Sequence, residues 1–222
     1  TVLPGKEGEE RKELALTKEF MPLLYSGSGD VTAEVVFVGY GITAPELGRD
    51  DYAGVDVAGK AVMALRGAPA DGRDWLKHDS HRARTANARA HGAAAYLFAE
   101  SAIANPNGVP IPDLPMAAVS DEIADALLAG RKLTVADLRK VLSAGGVASF
   151  ATGRSVRLAV SAPPPREVEA ASVVAWLPGS DQALRGEYVI VGAHLDHVGD
   201  WPVLNPGADD NASGSAAVLE IA

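Results

Sequence analysis

"HRARTANARAHGAAAYLFA", residues 81–99, changes its pattern at a single glycine. The first part is alanine-rich with arginines interspersed, a composition that favours helix, and Gly92 is the residue type that ends a helix in the left-handed region. The second part, from Ala93, is a short apolar and aromatic run of the kind a buried strand needs. Upstream, "EVVFVGYGI" (34–42) and "KAVMALRG" (60–67) are apolar runs ended by glycine, so the order reads strand, helix, strand. Downstream, "MAAVS" (116–120) leads through Ser120, an expected N-cap, into "DEIADALLAG" (121–130). Thr134 opens "TVADLRKVLSAG" with a T-x-x-D spacing close to a capping box. "ASFATGRSVRLAVSA" (148–162) alternates like a strand and ends at Pro163-Pro164-Pro165, which can enter neither a ladder nor a helix interior. A domain boundary is expected there. The fold class is α/β: a β-rich domain over 30–162 with flanking helices, preceded by a lead-in arm over 1–29 and followed by a second piece over 166–222.

The arm includes "GKEGEERKELALTKEF" (5–20), in which Leu14, Leu16 and Phe20 allow a short surface helix. In the last piece, "SVVAWLPG" (172–179) and "YVIVGAH" (188–194) are near-continuous apolar runs, as expected of strands buried on both faces of a parallel sheet. "SGSAAVLEIA" (213–222) is helical in character.

The 222 residues are 47% apolar, enough for a core, and begin with Thr1, which suggests a processed or excised piece. A net charge of -9 argues against nucleic acid and anionic lipid as partners, since both require basic patches. Without cysteine, any metal or nucleophilic chemistry falls to His, Asp, Glu, Ser or Thr. No membrane span is expected, because no apolar run approaches the required length.

The chemistry concentrates in "HLDHVGDWPVLNPGADDN", residues 194–211, which spends two histidines and four aspartates on eighteen residues. His194 would emerge at the carboxyl end of its strand, where open α/β sheets place their ligands. In extended backbone His194 and Asp196 share a face, so a carboxylate can orient the imidazole as metal-binding histidines require. Asp209, Asp210 and Asn211 precede the last helix; one residue suffices as its cap, and the surplus oxygens favour a cation. Two metals fit. Asp209, Asn211, Ser213, Gly214 and Glu220 fall at positions 1, 3, 5, 6 and 12 of an EF-hand-like calcium loop (209–220), though Pro202, Pro206 and Gly207 precede it where a helix should be. His194 with Asp210 instead offers the imidazole and carboxylate that zinc takes.

"EYVIVGAHLDHVG" followed by "NPGADDNASGSAAVLEIA" resembles the family-28 co-catalytic zinc metallopeptidases, which include bacterial secreted aminopeptidases and glutamate carboxypeptidases. Residues 30 to about 162, with "VVFVGYGITAPELGRDDYAGVDVAGKAVMALRG" and "NARAHGAAAYLF", resemble the protease-associated domain inserted in many members. The resemblance implies His194 as a ligand of one zinc, Asp210 as the carboxylate bridging two, and Asp196 as the catalytic-site partner that orients His194. Asp209 and Asn211 would shape the turn, and His197 receives no role. Two-metal hydrolysis of a peptide or protein substrate, with secretion or periplasmic export, is the implied function. The family's base and remaining ligands would lie beyond Ala222, so half a site is expected here, unable to hold two zincs tightly or to hydrolyse peptides. A non-catalytic binding module is the alternative from another class. Outside this motif, the "KHDSHR" stretch with His78 and His81 is expected to be a solvated face, His91 lies beside the same helix, and Arg66 and Trp75 sit near expected loop tips.

Overall fold

A computed structural model describes residues 2–3, 12–100, 111, 113–161, 169, 171–197 and 204–221. The chain divides into two compact units, Thr1–Pro164 and Pro165–Ala222. The triple proline itself lies outside the described residues.

Among its described residues the first unit contains nine strands: β1 (Val2–Leu3), β2 (Phe20–Pro22), β3 (Gly29–Val38), β4 (Thr43–Ala44), β5 (Arg49–Asp50), β6 (Ala61–Leu65), β7 (Ala95–Ala99), β8 (Met116–Val119) and β9 (Ser149–Val160). Three helices accompany them: α1 (His81–Ala90), α2 (Asp121–Leu128) and α3 (Val135–Ser143). Seven strands form one sheet in the order β1-β9-β3-β6-β7-β8-β2. β3, β6, β7 and β8 run parallel, β9 lies antiparallel along β3, and β1 and β2 close the edges antiparallel.

Both faces of the parallel centre are covered, which is why its strands read as unbroken apolar runs. Phe37, Met63, Leu65, Leu97 and Val119 face one side, where Ile123 and Leu127 of α2 and Leu138 and Leu142 of α3 pack on them. Val36, Val38, Val62, Tyr96, Phe98 and Met116 face the other, beside Ala88 of α1. Fully burying a side chain of this size stabilises by roughly 1.5–3 kcal/mol.

The helix ends follow the sequence signals. Ser80 accepts from Ala83 N–H at 3.1 Å, and Ser120 accepts from Ile123 N–H at 3.4 Å. Thr134 and Asp137 complete a reciprocal capping box. Arg139 of α3 donates to both oxygens of Asp121 of α2 at 2.9 and 3.0 Å. After β3, Gly41 turns the chain at φ +70°, and a Cβ there would come within 2.8 Å of the Tyr96 hydroxyl. The buried Asp51 carboxylate accepts from the N–H groups of Tyr40 and Ile42, each at 3.0 Å, and pairs with Arg49 at 2.8 Å. Burial pushes the Asp51 pKa up, while these donors pull the other way. Beneath α1, Arg84 is 1% exposed; its guanidinium donates to the carbonyls of Tyr40 (2.9 Å) and Gly67 (2.6 Å) and to Asp79.

Several expectations are corrected. Residues 12–19 hold a turn and isolated bridges instead of a helix, and the arm is not peripheral: β1 and β2 are sheet strands, and Met21, Leu23 and Tyr25 are buried. Strands of two or three residues are too short to show a period, so only pairing reveals them. His81 does not lie on a solvated face but is buried, because α1 turns its first residue toward the sheet. His78 is the residue that meets a surface carboxylate, with Nε2 2.8 Å from Glu46, and His91 stacks on Tyr52. Trp75 is likewise buried, its indole N–H donating to Asp71 at 2.9 Å, so it presents no loop tip to a substrate. Arg66 is exposed, 3.9 Å from Glu100.

In the second unit, α4 (Ser213–Ile221) forms as expected. The runs 172–179 and 188–194 do not become strands; Val189 and Ile190 are 94% and 91% exposed. An apolar run becomes a strand only when neighbours take up its N–H and C=O groups, and no described segment of this unit does so.

Candidate functional site

His194, Asp196 and Asp210 converge in the second unit. The His194 carbonyl accepts from Ser215 Oγ–H at 3.1 Å, so the first turn of α4 holds the backbone that carries the imidazole. Asp210 sits one turn before α4, and a cis peptide joins it to Asn211. Ahead of it, Gly207 takes φ +66°, and a Cβ there would lie 3.0 Å from the His197 ring. Behind it, the Asn211 side chain folds over Gly214, so a larger residue at that position would displace the Asn211 amide. Ser213 Oγ–H donates to the Asp209 carbonyl at 3.2 Å.

The central contact is His194 Nε2 to Asp210 Oδ1, 3.0 Å. The other ring nitrogen, Nδ1, lies 2.8 Å from the Asp196 backbone carbonyl and 3.3 Å from the Asp196 carboxylate. Asp196 therefore holds the ring by its carbonyl first and its side chain second. The Asp196 carbonyl, followed by Asp210, raises the His194 pKa above its ordinary value. His197 Nδ1 is 3.9 Å from Asp210 Oδ2, outside hydrogen-bond reach. The three residues singled out from sequence are thus together, while Ser215, a small residue in a small-residue run, carried no signal beyond its helical context.

The calcium alternative fails on backbone. Residues 213–221 form a continuous helix, so Ser213 and Glu220, loop positions 5 and 12, cannot wrap around a common ion with Asp209. Among the described residues no group of three or more His, Asp or Glu is arranged to hold a metal ion by itself, and the His194–Asp210 pair is a two-donor arrangement.

Residues 172–222 match the sequence model of peptidase family M28, and residues 31–127 match that of the PA domain. The two matches lie one after the other along the chain, the PA domain match before the M28 match. No curated protein matches it. Among solved structures, an aminopeptidase from Aneurinibacillus sp. strain AM-1 is 26% identical, over 64% of this chain and 30% of that one, at a TM-score of 0.38. A zinc aminopeptidase from Bacillus subtilis is 20% identical, over 49% of this chain and 24% of that one, at a TM-score of 0.36. The chain thus spans less than a third of either. His194, Asp196, Asp210 and Ser215 all lie in the segment that matches family M28, and the first unit contains the segment that matches the PA domain.

Among the described residues no helix is long and apolar enough to cross a membrane.

Proposed function

We propose that the chain belongs to a metal-dependent exopeptidase, an aminopeptidase acting on peptides or proteins, in which His194 and Asp210 hold zinc and Asp196 orients His194. The supporting observation is the 3.0 Å approach of His194 Nε2 to Asp210 Oδ1 within the segment that matches family M28. The donors suit the ion: zinc takes imidazole nitrogen and carboxylate oxygen at about 2.0–2.2 Å, and both side chains are open to solvent. Bound there, the metal would polarise a peptide carbonyl and lower the pKa of a water molecule.

The chain's own residues prepare that chemistry. With Nδ1–H donating to the Asp196 carbonyl, the imidazole lone pair is left on Nε2, facing Asp210. Asp210 brings the negative charge that a dication requires, and Ser215 keeps the His194 backbone in register with α4. Two zinc ions and export from the cytoplasm complete the reading, and the M28 resemblance supports both. The domain limits 30–162 and 166–222 belong to the same proposal; the matches at 31–127 and 172–222 support a division between them.

Titration of the purified chain with zinc, in competition with a chromophoric chelator, tests the proposal. His194→Ala and Asp210→Ala should each weaken zinc binding, whereas Glu220→Ala should not. Zinc binding that is unchanged in Asp210→Ala would sink the assignment.

A further inference from the structure

Far along the sequence from the M28 segment, three side chains of the first unit meet at the carboxyl ends of β6 and β7. Tyr25 comes from the segment after β2, His81 is the first residue of α1, and Glu100 directly follows β7. Tyr25 Oη and His81 Nδ1 lie 2.5 Å apart, and His81 Nε2 lies 3.4 Å from Glu100 Oε1. The imidazole packs against Phe98, ring centroids 4.0 Å apart. His81 and Glu100 are only 7% and 4% exposed. His81 Nε2 and both Glu100 oxygens make no properly directed hydrogen bond, so the carboxyl group sits in the core without a committed donor.

A buried carboxylate in that position is costly, and so is a buried imidazolium. Arg66, at 3.9 Å from Glu100 Oε2 and mostly in solvent, compensates only weakly. The groups facing the trio are Arg66 after β6, Asp79 ahead of α1, Arg84 within α1 and Tyr96 on β7. Arg84 is committed to Asp79 and two backbone carbonyls. The arrangement is least costly when each member of the trio is uncharged. A protonated Glu100 then faces the lone pair of His81 Nε2, and His81 Nδ1–H faces the Tyr25 hydroxyl oxygen.

We propose that Tyr25, His81 and Glu100 form a proton-gated latch, which clasps the segment after β2, the start of α1 and the end of β7 while the trio is uncharged. The direction of each titration agrees. Burial, with Arg84 and Arg66 adding to it, pulls the His81 pKa down to about 4. Burial pushes the Glu100 pKa up. The His81 contribution is full above its unfolded value of about 6.5 and is lost as pH falls toward 4. The Glu100 contribution is full below its unfolded value and is lost as pH rises through its folded value. Acid charges the imidazole beside Arg66 and Arg84, and base strips the proton from a carboxyl group that has no donor. The latch belongs to the PA-containing unit and stands whether or not the zinc reading of the M28 segment holds.

Hydrogen exchange of the whole chain, corrected for intrinsic rates, tests it, with β3 and β9 as internal references. In the unaltered chain, residues 23–27, 81–85 and 96–100 should lose protection relative to those strands as pH falls below 6.5 and again as it rises. His81→Leu should abolish the acid-side loss and Glu100→Gln the alkaline-side loss, each by on the order of tenfold per unit of displaced titration. Profiles in which these segments track β3 and β9 at every pH overturn the proposal. Should either variant fail to fold, an NMR titration of the His81 imidazole in the unaltered chain decides: titration near 4 supports the latch, and titration near 6.5 overturns it.

Discussion

Two apolar runs meet opposite fates in this molecule. "AVMAL" in β6 is buried throughout, between β3 and β7 and between α1 and the α2–α3 layer. "YVIV" at 188–191 points its side chains into solvent. Local preference even favours the second, since β-branched and aromatic residues fit a pleated surface and make up all of "YVIV", whereas "AVMAL" has only Val62. What differs is the supply of partners: β6 has a strand on each side and helices above and below, and residues 188–191 have no ladder among the described residues. Strand formation is therefore a property of the neighbourhood rather than of the run.

Hydrogen exchange should show the largest contrast. Amides of residues 61–65 are expected to exchange at least about a thousandfold more slowly than those of residues 189–192. Equal protection would mean that the second run has found a partner. Next in size, Phe37→Ala should destabilise the first unit by about 3–5 kcal/mol in denaturant unfolding, read by the fluorescence of buried Trp75. Ile190→Ala should stay within about 0.5 kcal/mol in the same measurement. Smaller again, Thr134→Ala removes half of the α3 capping box and should cost about 1 kcal/mol. Least of all, Asp210→Ala should leave unfolding of the first unit within about 0.5 kcal/mol while weakening zinc binding, because a solvent-exposed carboxylate contributes chemistry without packing.

The centre of the sheet was legible because β6, β7 and the second half of β3 are apolar runs and because Ser120 and Thr134 announce their helices. β1 and β2 were not, since two or three residues carry no period and their place is set by β9 and β8. The burial of His81 was hidden by its charged neighbours: Lys77, Asp79 and Arg82 describe the solvent side of a segment whose other side faces Phe98. At the candidate site, the spacing of His194 and Asp196 and the surplus oxygens before α4 pointed to residues that the structure brings close to one another. The detail was beyond it. That Asp196 holds the imidazole more closely through its backbone carbonyl than through its carboxylate depends on how the chain bends after His194. Likewise, the close fit of Gly214 under the Asn211 side chain depends on how that side chain lies across the helix start.

Arg84 carries a consequence for anyone recombining this domain with its relatives. One guanidinium, nearly sealed from solvent, reads the main-chain carbonyls of two loops, after β3 at Tyr40 and after β6 at Gly67. Those loops and α1 therefore behave as a single heritable cassette. A chimera that exchanges any one of the three without the others would leave either a cation or two carbonyls stranded in the interior, so crossover points belong outside residues 39–91.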